Sequence, residues 1–168
     1  LGRRPGIDAE DLLRGLPDQA LIVGLIGISN HDNMGGILRN AAAFGVDAVL
    51  LDDSCCDPLY RKAIRVSVGA ALILSIARAG TAETLVGALA ASRFETLALS
   101  PSGLEDLSDV KRGPRTAILF GAEGPGLPLP LLARVRTVRI AMAGGFDSLN
   151  VATTSGIVLH SLARPRSN

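Results

Sequence analysis

The 168-residue chain has no tryptophan, one tyrosine and four phenylalanines, so aromatic residues make up only 3% of it. Such a core has to be filled by aliphatic side chains, and the chain supplies them, being 48% hydrophobic. Cysteine is scarce as well. Cys55 and Cys56 are neighbours, a spacing that rarely reaches disulfide geometry, and no C-x-x-C pair is present to form a thiolate metal site. The expectation is a reduced, cytoplasmic chain. No apolar run reaches the roughly 18 residues of a membrane-spanning helix, and no charged-then-apolar opening reads as a signal peptide. Charge of one sign is also lacking: 17 Lys and Arg against 16 Asp and Glu leave a net +1. That balance neither demands nor excludes a nucleic-acid partner.

What is present narrows the class. The length suits one domain with a real core, and 19 glycines with 9 prolines suit a layered α/β fold with many tight turns. Fifteen of the 17 cations are Arg, clustered at Arg3 and Arg4, at Arg61, Lys62 and Arg65, at Arg134, Arg136 and Arg139, and at Arg164 and Arg166. Arginine holds phosphate bidentately, which favours a polyanion partner; a GC-rich genome produces the same bias.

Along the chain, ALIVGLIGI (20–28) is a continuous apolar run of strand length, as in a strand buried on both faces. SNHDNMGG then reads as a glycine-rich loop in which Asp32 or Asn33 caps a helix, and ILRNAAAFG as a short helix stopped by Gly45. Strands follow at 47–52, 71–77, 95–100, 116–121 and 137–142. Helices are expected through YRKAIRVS, through TAETLVGALAASR with Thr81 as cap, through LPLLARV, and from about 149 to 163. PSGLEDLSDVKRGP reads as a loop with one helical turn. This alternation predicts an α/β fold, a mostly parallel sheet flanked by helices. Residues 1–19 read as a linker or extension with a frayed end, residues 20–168 as the functional domain, and RPRSN as a frayed tail.

Two stretches carry chemistry. GAEGPG (121–126) follows a buried strand, where glycines let backbone approach a nucleotide; it matches neither G-x-G-x-x-G nor a P-loop, and it falls too late in the chain for a usual dinucleotide fold. AMAGGFDSLNVATTSG (141–156) sets Ser148, Leu149 and Asn150 before a helix rich in Thr and Gly, which are poor helix formers. Asp147 or Ser148 as a simple N-cap would explain that segment taken alone.

Together, NMGGILRNAAAFGVDAVLL (33–51), ILFGAEGPGLP (118–128) and RIAMAGGFDSLNVATTSGIVLH (139–160) resemble, in order, the three motifs of the SpoU branch of the knotted RNA methyltransferases, the SPOUT superfamily. One departure is Ala141, where that family usually has Pro. The resemblance implies a deep trefoil knot near the C-terminus, a homodimer, S-adenosylmethionine as cofactor, and methyl transfer to a ribose 2′-hydroxyl of rRNA or tRNA. It also implies that an N-terminal RNA-binding domain is missing from this chain. Two rival readings are a catalytically silent RNA- or nucleotide-binding module that kept the fold, and a base-modifying enzyme of another knotted branch.

The same resemblance assigns roles. Arg39 would contact the target nucleotide, either assisting its hydroxyl or clamping the adjacent phosphate; free guanidinium is a poor base. Asn33 would hold the opening loop and the substrate. Glu123 would bind a hydroxyl, orient Arg39 or fix its loop, and Ser148 and Asn150 would line the cofactor and the reacting ribose. Leu99, Ser100, Gly121, Ile140, Met142 and Leu149 would cradle the adenosine. A sulfonium methyl group is already electrophilic, so no metal is expected, and His31 and His160 read as surface or packing residues. Tyr60 and the cations at 61, 62 and 65 lie either near the RNA or on a solvated helix face.

Overall fold

The computed structural model describes residues 6–163; the expected fraying of both termini and the arginine pairs at 3 and 4 and at 164 and 166 fall outside them. The apolar run at residue 20 forms the strand β1 (Ala20–Ile26), buried at every position. Its odd residues, Leu21, Val23 and Leu25, enter one hydrophobic core and its even residues, Ala20, Ile22 and Ile26, the other. This is the period-two split of a strand covered on both faces.

Around β1 the chain adds α1 (Ala9–Arg14), α2 (His31–Ala43), β2 (Ala48–Leu51), α3 (Arg61–Val66), α4 (Ala70–Ile73), β3 (Ile76–Arg78) and α5 (Ala82–Ala91). There follow β4 (Glu95–Leu99), β5 (Glu105–Asp106), β6 (Arg115–Gly121), α6 (Leu129–Leu132), β7 (Arg136–Arg139) and α7 (Val151–Leu162). The seven strands form one sheet in the order β3-β2-β1-β6-β4-β7-β5, and every pairing is parallel. Met34, Ile37 and Leu38 of α2, Ala63 of α3, Ala71 of α4 and Val158 and Leu159 of α7 cover one face. Leu13 of α1, Leu85 and Leu89 of α5 and Leu131 of α6 cover the other.

Several elements differ from the sequence reading. Residues 71–77 are not one strand: Ala70–Ile73 is a helical turn, entered through Gly69 at φ 82 and braced by the Ala71 amide donating to Ser67 Oγ at 3.2 Å, and only Ile76–Arg78 joins the sheet. A short apolar run satisfies either periodicity. SNHDNMGG is not a loop. Asn30, rather than Asp32 or Asn33, caps α2 by accepting from the amides of Asp32 and Asn33, and Gly35 and Gly36 lie inside the helix. A Cβ on Gly35 would stand 2.7 Å from Val66 of α3, and one on Gly36 2.7 Å from Ala152 of α7. These glycines permit close helix packing rather than a turn. The last strand ends at Arg139, so Ile140 to Met142 leave the sheet. Glu105–Asp106 pairs with β7 inside the expected loop, and α1, capped by Asp8, packs Leu13 fully into the core from within the segment read as a linker.

Two of the arginine clusters resolve differently. Arg136 donates to Glu95 and, at 2.6 and 2.8 Å, to Glu105, while Arg139 pairs with Asp106 at 2.8 Å. These bonds raise both guanidinium pKa values, and the Arg139 hydrogen bond lowers that of Asp106. Arg136 and Arg139 therefore tie the β4, β5 and β7 edge together instead of offering a free basic patch. Arg61, Lys62 and Arg65 stay exposed on α3.

Candidate functional site

Past the C-terminal ends of β4, β6 and β7 lies a cavity of about 570 Å³, within the ~300–1,000 Å³ of small-molecule sites. Crevices at this edge are where parallel α/β sheets bind ligands. One wall is the loop after β6. It closes on itself through the Gly126 amide, which donates to Ala122 O at 2.9 Å, with Gly124 and Gly126 at φ 84 and 67. Gly121 opens this loop because a Cβ there would sit 2.5 Å from the backbone carbon of Gly126 and nitrogen of Leu127. Leu127, buried, anchors the return.

The opposite wall is the start of α7. Asn150 is its cap: Oδ1 accepts from the amides of Ala152 and Thr153 at 2.9 and 3.3 Å. The other end of the same amide joins the three motifs, with Nδ2 donating to Asn33 Oδ1 at 2.9 Å and to Glu123 Oε1 at 2.7 Å. Its oxygen and both of its N–H donors are thus engaged, which fixes the orientation of the side chain. Asn33 is buried at 7% exposure while Glu123 is exposed, so the network runs from the core to the cavity mouth.

All six residues expected to cradle an adenosine, Leu99, Ser100, Gly121, Ile140, Met142 and Leu149, border this cavity. Of those expected to be catalytic, Glu123, Ser148 and Asn150 border it too, and Asn33 is bonded to Asn150. Arg39 does not join them. It is exposed on α2 and stands outside the cavity lining. Aliphatic Leu99, Leu127 and Ile140 beside the bare backbone at Gly121 suit a flat, apolar-faced ring with a polar edge, and the Ser148–Asn150 wall suits a polar tail.

A supporting pair went unnoticed in the sequence. Asn40 Nδ2 donates to Ala152 O at 2.8 Å and to Ser155 Oγ at 3.0 Å, with Ser155 fully buried. It locks α7 against α2 one turn behind the Asn150 cap. The only signal was a polar Asn within ILRNAAAFG. His160 packs edge-on against Phe44 at 5.6 Å and His31 lies 4.3 Å from Tyr60. Among the described residues, no three His, Cys, Asp or Glu side chains gather as a metal site, and no helix is long and apolar enough to cross a membrane.

A parallel sheet with this cavity at its C-terminal edge, closed by the capped start of the last helix, defines an α/β protein built to hold a nucleoside-like ligand. The chain belongs to the SpoU rRNA Methylase family, whose sequence profile matches residues 20–160. It is 41% identical over 169 residues to an uncharacterized tRNA/rRNA methyltransferase of Mycobacterium tuberculosis, covering 97% of this chain and 57% of that protein. Its fold is similar to an AdoMet-bound rRNA methyltransferase from Sinorhizobium meliloti, with TM-score 0.85, 27% identity, and coverage of 94% of this chain and 60% of the other. An RNA 2′-O ribose methyltransferase gives TM-score 0.79 and 29% identity over 86% of this chain and 56% of its own. The chain spans about half the length of the curated relatives it matches.

Proposed function

We propose that this chain is the catalytic part of an S-adenosylmethionine-dependent RNA methyltransferase that methylates a ribose 2′-hydroxyl of rRNA or tRNA, acting as a cytoplasmic homodimer. The observation that carries this is the Asn33–Asn150–Glu123 network, which joins all three motifs at the mouth of a cavity sized for a nucleoside cofactor. S-adenosylmethionine, when bound, supplies an electrophilic methyl group on a sulfonium. The chain's own work is positional. Leu99 and Ile140 would cover the cofactor's adenine face, the backbone at Gly121 would meet the adenine edge, and Ser148 and Asn150 would face the reacting ribose, all five lining the cavity.

The homodimer has support from exposure. Residues 143–150 are exposed throughout, with Phe146 at 75% and Leu149 at 41%, and Ile157 on α7 is 39% exposed; apolar surface beside a site is commonly an interface. A second copy also gives Arg39 a route to the ribose, because Arg39 is exposed and is not among the residues lining its own cavity. The trefoil knot and residues 20–168 as the methyltransferase domain, with α1 packed onto its core, belong to the same proposal.

The test is calorimetry with S-adenosylhomocysteine, followed by transfer of labelled methyl to total tRNA and rRNA and digestion to alkali-resistant dinucleotides, which mark 2′-O-methylation. Saturable binding with label in those dinucleotides is expected. Binding without transfer to either RNA would favour the silent module, and no binding by folded protein would overturn the proposal.

A further inference from the structure

We propose that Tyr60, backed by His31, is a stacking platform for an unpaired base of the RNA substrate, with Arg61 and Arg65 holding the phosphates beside it. The inference rests on the methyltransferase reading above. Tyr60 occupies the N-cap position of α3 yet makes no side-chain cap bond, where Ser, Thr, Asp or Asn would stabilise the helix. Instead its ring lies 4.3 Å from that of His31 at 38°, and Tyr60 remains 55% exposed. An aromatic placed where it forgoes a cap and keeps more than half its surface in water is available to a flat partner.

The loop that carries the ring is tied down. Asp52 accepts from the Gly27 and Cys55 amides and from Ser54 Oγ, and Arg78 donates to the carbonyls of Asp52, Cys55 and Cys56. Asp57 accepts from the Leu59 amide at 2.9 Å, and the Tyr60 amide donates to Asp57 O at 3.2 Å. A pre-ordered loop backbone lowers the entropy lost when a base stacks on the ring it carries.

Position and charge favour RNA over an apolar protein partner. His31 opens α2 two residues before Asn33, so the platform stands within one helical turn of the residue that bonds Asn150. Lys62 is engaged with Asp32 at 2.7 Å, which neutralises that carboxylate and leaves Arg61 and Arg65, both exposed, for bidentate phosphate contacts. Aromatic rings beside cations are the usual means of gripping single strands.

The sequence offers a direct probe. Tyr60 is the only tyrosine in a chain without tryptophan, so intrinsic emission reports this ring alone. The experiment titrates the protein with oligoadenylate and with an RNA duplex, reading tyrosine emission and filter retention together, and measures S-adenosylhomocysteine affinity in parallel. The expected result is saturable quenching by oligoadenylate that tracks its retention, with little quenching by duplex. Tyr60→Ala should weaken oligoadenylate binding about tenfold or more, Tyr60→Phe should stay within about twofold, and cofactor affinity and melting temperature should hold in both. Oligoadenylate retained equally by Tyr60→Ala, or without quenching, overturns the platform and leaves the methyltransferase reading intact. Equal quenching by duplex overturns base stacking in favour of a backbone contact. Loss of S-adenosylhomocysteine binding and of all methyl transfer in the unmodified protein overturns the underlying reading, whatever the emission shows.

Discussion

Replacing Asn150 separates the two jobs of one amide. In Asn150→Ala the amides of Ala152 and Thr153 lose their acceptor, at about 1 kcal/mol for a lost N-cap, and Asn33 Oδ1 loses its donor. Asn33 is only 7% exposed, so its stranded acceptor adds about 1–3 kcal/mol. Glu123 is exposed and recovers water, adding little. The sum is about 2–4 kcal/mol, with water entering from the cavity favouring the lower end. For a chain of this size that lowers Tm by about 4–16 °C. Asn150→Ser keeps a capping oxygen and loses only the bonds to Asn33 and Glu123, so it should recover about 1 kcal/mol of the loss. Asn150→Asp also keeps the cap but turns an oxygen toward the Glu123 carboxylate, and it should be worse than Ser at neutral pH. Thermal melts of the three variants, with an Asn33→Ala and Asn150→Ala double-mutant cycle, measure these quantities. Wild-type melting in Asn150→Ala, or a coupling below about 0.5 kcal/mol, would refute the claim that this amide holds the motifs together.

Three further outcomes follow from the geometry. Gly121→Ala forces a Cβ to 2.5 Å from backbone atoms; overpacking of this kind costs about 1–3 kcal/mol, and S-adenosylhomocysteine affinity should fall at least tenfold by calorimetry, whereas unchanged affinity would show that the loop yields freely. Burial pushes the Cys55 thiol up to about 12 from an ordinary 9.0. Folding then favours the protonated thiol, so its contribution to stability is intact below 9.0 and is lost as pH rises toward about 12, by up to about 1.4 kcal/mol per pH unit. Cys55→Ala should flatten that alkaline slope in denaturant melts, and mass spectrometry should find Cys55 unalkylated by iodoacetamide at pH 8 in the folded protein. Lastly, if Arg39 serves the cavity of a second copy, mixing inactive Arg39→Ala and Asn150→Ala chains should restore about a quarter of wild-type methyl transfer; no recovery in a mixture shown to exchange subunits would place Arg39 in its own chain's reaction.

The sequence and the structure agree where one physical signal dominates. The runs at 20–28 and 116–121 are apolar at nearly every position because β1 and β6 lie central in the sheet and are covered on both faces, so hydrophobicity alone finds them. The run at 71–77 was equally apolar and became a helical turn, because its fate is set by Gly69 and the Ser67 hydroxyl rather than by any pattern within it. Gly35 and Gly36 read as a loop because glycine carries the same local signal whether it frees a turn or admits a neighbouring helix. Arg136 and Arg139 read as a basic patch because their carboxylate partners lie 31 to 41 residues away.

The site depends on such distances even more. Asn33 and Asn150 meet across 117 residues and Glu123 and Asn150 across 27, and no local periodicity encodes either contact. What made them legible was the ordered resemblance of three motifs, which names residues without giving their bonds. The structure adds the physical reason for that grouping. A cap is needed wherever α7 begins, and Asn, unlike Ser, Thr or Asp, can accept from the helix with its oxygen while donating twice with its nitrogen. One residue can therefore start the last helix and pin it to two other segments, whereas a capping hydroxyl has a single proton to donate and a carboxylate has none. Arg39 lacks any such tie among the described residues. If Arg39 serves the reaction it does so from outside the lining of its own chain's cavity, and the mixed-chain experiment separates a contribution made across α2 to its own chain's RNA from one made to a second copy.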